Sequence, residues 1–90
     1  MSEIYLIQKS LEENYKTLFE NAPMSYALTE ADANEILRNS LSILRQVYAE
    51  LKVLGQDTNW LHVTYTDLET GHHMRAIYSV RKVYGTTLTL

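Results

Sequence analysis

Between residues 29 and 55 the apolar side chains fall in one stripe, and that stripe constrains the fold more than any other feature of the chain. Ala33, Leu37, Leu41, Leu44, Tyr48 and Leu51 recur at steps of four, four, three, four and three. That spacing brings side chains to one face of an α-helix. Ile36, Val47 and Leu54 widen the face. Thr29 is placed to cap the N-terminus, with Asp32 where a capping box prefers Glu or Gln. Glu30, Asp32 and Glu35 near the start and Lys52 near the end suit the helix dipole. Gly55 can take the left-handed conformation that closes a helix. The pattern predicts one continuous helix over residues 30–54, its broad leucine-rich face packed on a sheet or a second helix. A coiled-coil dimer fits less well, because about three and a half heptads carry no regular charge pattern beside the seam.

Residues 58–84 predict a β-hairpin. A four-residue loop Leu68–Gly71, with Gly71 at positive φ, pairs Asp67 with His72. This register sets Tyr65 opposite Met74, Val63 opposite Ala76 and Leu61 opposite Tyr78, six apolar residues on one face. The other face then carries Thr66 with His73, Thr64 with Arg75, His62 with Ile77 and Trp60 with Ser79. A slip of one residue would mix the two sets. Residues 86–90 are β-prone enough to add a short strand or to fray.

The first 28 residues admit two readings. Ile4, Ile7, Leu11, Tyr15 and Leu18 step by three, four, four and three, which favours a helix from about residue 3 to residue 20. The alternative is a pair of strands in which Tyr15, Thr17 and Phe19 alternate, Met24, Tyr26 and Leu28 alternate, and Glu20–Pro23 turns between them. Both readings give an α+β chain.

Ninety residues allow one domain, 1–90. A domain of this size leaves few buried residues free for chemistry. With no cysteine there is no disulfide, thiolate nucleophile or zinc-thiolate site. That suits a reducing compartment, and no secretory signal or membrane-length apolar run is visible, so the expected location is the cytoplasm. Charge is polarised. Residues 1–35 carry seven acids against Lys9 and Lys16, a net −5, while residues 36–90 carry a net +2. Such asymmetry steers association with charged partners, although solvated faces carry charge for no further reason.

Catalytic constellations are missing. His72 and His73 are adjacent and point to opposite faces of a strand. His62 and His73 share a face, but their rows lie roughly 13 Å apart along the strand, too far for one metal ion. No serine sits in a glycine-flanked elbow. Glu12 and Glu13, and Asp67 and Glu69, do not form a buried carboxylate pair. The three glycines make no phosphate-binding loop. No catalytic residue, cofactor or metal is therefore expected.

The polar face of the hairpin is the better lead. Trp60, His62, Thr64, Arg75, Ile77 and Arg81 would stand together on it, and Trp and Arg are enriched at binding hot spots. The same set could stack bases and hold phosphates, but a chain of net charge −3 with two separated arginines lacks a basic stripe. A third arrangement buries this face under residues 1–28 or a second subunit. The seven tyrosines divide in the same way, with Tyr48, Tyr65 and Tyr78 on core faces and Tyr5, Tyr26 and Tyr84 left for contact surface.

The expected function is a non-enzymatic protein-binding module. Small inhibitors and accessory proteins are of this type, phage counter-defence proteins among them. They act by surface occlusion or by nucleic-acid mimicry, here with the acids of residues 1–35 in the place of phosphates. The alternatives are a nucleic-acid-binding protein using the hairpin's outer face and a structural homo-oligomer. No membrane partner is expected.

Overall fold

The computed structural model describes residues 3–84. Its elements follow in the order β1 (Glu3–Glu13), β2 (Lys16–Ala27), α1 (Glu30–Val47), β3 (Lys52–Asp57), β4 (Trp60–Thr66) and β5 (His73–Tyr84). The strands form a single antiparallel sheet in the order β2-β1-β5-β4-β3. The architecture is thus a five-stranded sheet with one helix, which corrects the expectation of a long helix packed on a hairpin.

The helix begins as its cap predicts, with the Asp32 N–H donating to Thr29 Oγ1 at 3.1 Å. It ends at Val47, however, and not near Gly55. Tyr48 leaves helical geometry at φ −115°, ψ 101°, and its N–H closes the last turn on the Leu44 carbonyl at 2.8 Å. Residues 52–57 then pair with β4 as the sheet's last strand. The apolar period runs past the true end because Tyr48 and Leu51 still pack on the core after the chain has left the helix.

Residues 3–27 are two strands, not the helix favoured by their spacing. β1 lies between β2 and β5, so both of its edges are hydrogen-bonded, and Ile4 and Leu6 are apolar although they stand on the face away from the core. Ile4-Tyr5-Leu6-Ile7 is therefore an unbroken apolar run. The alternative strand reading also misplaces its turn. The chain reverses at Asn14-Tyr15, both at positive φ (49° and 68°), and passes through Glu20–Pro23 without turning.

The β4–β5 hairpin has the register that its sequence predicts, from Trp60 opposite Ser79 to Thr66 opposite His73. Its turn closes on Asp67, whose N–H donates to the His72 carbonyl at 2.9 Å, with Gly71 at φ 72°. The expected strand over residues 86–90 lies outside the described residues.

The register sorts the sheet into two faces. Ile7 on β1, Leu61, Val63 and Tyr65 on β4, and Met74, Ala76 and Tyr78 on β5 are buried together with Ala33, Leu37 and Leu41 of the helix. This is the core, and it lies wholly between the helix and one face. The opposite face carries Ile4, Leu6, Gln8, Ser10 and Glu12 of β1 beside the alternate residues of β5 and β4. Among the described residues no element packs over it.

Both sheet edges are blunted. In β2 the register with β1 shifts three times, Asn21 takes φ 49°, and Pro23 has no N–H to offer. β3 is six residues long and is irregular between Val53 and Gly55. Short strands, bulges and proline all discourage another strand from adding to an edge.

Candidate functional site

The uncovered face is where the expected site residues fall. In the β4–β5 ladder, Trp60, His62 and Thr64 of β4 alternate away from the core, as do Arg75, Ile77 and Arg81 of β5. Three of the six are joined directly. The Arg75 Nε–H donates to His62 Nε2 at 2.7 Å, and Arg75 Nη1 meets Glu12 Oε2 at 3.1 Å. The rings of Trp60 and His62 meet edge to face with centroids 5.9 Å apart. Because His62 Nε2 accepts, the neutral ring carries its proton on Nδ1. Burial lowers the His62 pKa, the Arg75 charge lowers it further, and Glu12 opposes both.

The remaining three sit differently. Ile77 is half-buried beside His62 in the ladder. Thr64 is buried between Lys52 and Arg75, so it supports the face without offering contact area. Arg81 is exposed, six positions along β5 from Arg75, roughly 20 Å away. The two arginines therefore serve opposite ends of the face.

Sequence reading missed the supports of this site. Trp60 is 38% exposed, yet its ring lies over Gly55 of β3, where a Cβ would collide with ring atoms Cζ3 and Cη2. Glu12, the anchor of Arg75, belongs to the segment read as a helix. Had residues 3–13 been read as a strand, Glu12 would have fallen on the same face as Ser10 and Gln8.

A cleft of about 370 Å3 opens beside this cluster. Ser10, Glu12, Arg75 and Ile77 form its floor, and Thr17, Phe19, Glu20 and Asn21 of β2 form its wall. The irregular stretch of β2 is held there by β1. The Asn21 N–H donates to Ser10 Oγ at 2.9 Å, and Gln8 Nε2 donates to the Asn21 carbonyl at 3.2 Å. Gln8 and Ser10 both stand on the uncovered face, so these bonds fix Asn21 at its rim.

Among the described residues, no three His, Asp or Glu side chains come together as metal ligands, and no helix is long and apolar enough to cross a membrane. No protein-family model matches the chain, and no curated protein or solved structure is found to be similar to it.

Proposed function

We propose that the protein is a non-enzymatic binding module that docks a partner protein on the uncovered face of its sheet, acting as an inhibitor or accessory protein by occluding the partner's surface. The observation that supports this reading is Trp60: a partly exposed indole, packed on Gly55 and placed beside the linked His62, Arg75 and Glu12. A large aromatic side chain held in one place loses little entropy on binding, which is how hot-spot residues act. With both edges blunted, the face offers a broad surface for contact. A protein partner suits its charge better than nucleic acid does, because Glu12 offsets Arg75 and Arg81 stands at the far end. An intracellular location, in the cytoplasm, accords with the cysteine-free composition.

The test is affinity capture with the wild-type chain and with Trp60→Ala, read by mass spectrometry. A protein retained by the wild type and lost from a folded Trp60→Ala variant is the expected result. Equal capture by both would remove the docking face. Retention of oligonucleotide in place of protein, weakening steeply with salt, would support a nucleic-acid partner.

A further inference from the structure

We infer that the cleft between β2 and Arg75 receives an arginine side chain of the partner protein. The inference rests on the docking-face reading and identifies the chemistry of one contact within it. Three properties of the cleft lead to it.

The first is shape. At about 370 Å3 the cleft lies near the lower end of the range for small-molecule pockets, roughly 300–1,000 Å3. It is open on the solvent side and bounded on one side by the irregular stretch of β2. Such a site fits a long side chain entering from a surface laid across the sheet.

The second is charge. Glu12 and Arg75 pair at 3.1 Å, and Arg75 also donates to His62, so these two floor charges offset one another. Glu20 on the wall forms no ion pair among the described residues. The cleft is left with one uncompensated carboxylate. The charged residues that line the cleft, Glu12, Glu20 and Arg75, sum to −1, a balance that favours a cationic guest.

The third is the apolar lining. Phe19 stands in the wall and Ile77 in the floor. A guanidinium can stack on an aromatic ring and at the same time give two parallel N–H bonds to a carboxylate. Its aliphatic stem covers apolar surface such as Ile77. A lysine could meet Glu20 but offers neither the planar stack nor the paired donors.

The probe is N-acetyl-L-arginine amide, titrated into the isotope-labelled full chain and followed by amide chemical shifts. Saturable shifts confined to Ser10, Phe19, Glu20, Asn21 and Ile77 are expected. N-acetyl-L-lysine amide should bind several-fold more weakly, and the uncharged citrulline analogue roughly tenfold more weakly or not at all. Glu20→Gln and Phe19→Leu should each reduce the arginine response severalfold while the remaining spectrum stays in place. Shifts scattered over every acidic surface group, or a response unchanged by Glu20→Gln, would overturn the inference. Against a captured partner the two readings separate. Loss of binding on Trp60→Ala with none on Glu20→Gln removes the arginine contact and keeps the docking face. Loss on Glu20→Gln with none on Trp60→Ala keeps the arginine contact and removes Trp60 as the anchor of the docking face.

Discussion

The indole of Trp60 occupies the space that a side chain at Gly55 would need. The two residues lie on neighbouring strands, and the absence of a Cβ on β3 lets the ring lie down against the sheet. Gly55→Ala should lift the indole into water, since the colliding atoms belong to the ring and the Gly55 backbone is paired with β4. The expected cost is about 1–3 kcal/mol, the usual penalty for overpacking. A red-shifted emission that acrylamide quenches more readily would accompany it, and an unchanged spectrum would contradict the packing. Trp60 is the only tryptophan, so the signal needs no deconvolution.

The end of the helix at Val47 makes a second prediction. Leu41 lies in the core at 6% exposure, whereas Leu54, part of the same apolar period in the sequence, is 58% exposed on β3. Leu41→Ala should cost about 2–5 kcal/mol. Leu54→Ser should stay within about 0.5 kcal/mol of the wild type. Denaturant titration of the two variants decides the matter: a large cost for Leu54→Ser would mean that the helical stripe continues through residue 54.

Which parts of this fold are legible in the sequence depends on how local their determinants are. The β4–β5 register is legible because Gly71 fixes one turn and because the six residues from Leu61 to Tyr78 agree on one face. The start of the helix is legible from Thr29. Its end is not, because Tyr48 and Leu51 face the core in the connection as they would in a helix. The reversal at Asn14-Tyr15 is hidden for a related reason. Asn is at home at positive φ, but Tyr stands where glycine usually marks such a turn. The face holding Trp60, His62 and Arg75 could thus be drawn from the hairpin alone. The cleft wall at Phe19–Asn21 could not, since it depends on irregular pairing between β1 and β2 that no local pattern signals.

Asn14 ties the tip of the β1–β2 hairpin to the start of β5. Its N–H donates to the His73 carbonyl at 2.8 Å, and its Oδ1 accepts from the His73 N–H at 2.9 Å. Its φ is 49°. Asn14→Gly keeps the backbone conformation and loses only the side-chain acceptor, an expected cost of about 0.5–1.5 kcal/mol. Asn14→Ala loses the same acceptor and holds a Cβ in the left-handed region, about 1 kcal/mol more. Equal stabilities for the two variants would show that the turn is not left-handed at this position.

Asp67 gives the β4–β5 turn its acid sensitivity. Its carboxylate accepts the Thr70 N–H at 2.9 Å and the Thr70 hydroxyl at 2.8 Å, and the Glu69 N–H at 3.3 Å. These bonds, that from the Thr70 backbone first, hold its pKa below the ordinary value of 3.8. A carboxyl with a depressed folded-state pKa adds stability above its unfolded value and loses it as pH falls through the folded one. Asp67→Asn should therefore reduce the fall of stability in this acid range. A denaturation series that falls equally in both proteins would show that the turn does not depend on the charge.

His62 should make stability pH-dependent nearer neutrality, again with a loss as pH falls. Burial, and then the charge of Arg75, hold its pKa below the ordinary 6.5, while Glu12 raises it. Above 6.5 the ring is neutral in both the folded and the unfolded chain and makes no difference to the balance. As pH drops below 6.5 the unfolded chain takes up the proton first, so folding becomes less favourable until the folded-state pKa is passed. Protonation also removes the lone pair by which Nε2 accepts from Arg75. Two substitutions separate the causes by nuclear magnetic resonance titration of the ring. Arg75→Met removes a repelling cation and should bring the His62 pKa back toward 6.5. Glu12→Gln removes the attracting carboxylate and should lower it further. Denaturation between about pH 5 and pH 7 should then show a smaller decline for Arg75→Met than for the wild type. A His62 pKa that moves in the same direction in both variants would mean that the ring is not held between these two charges.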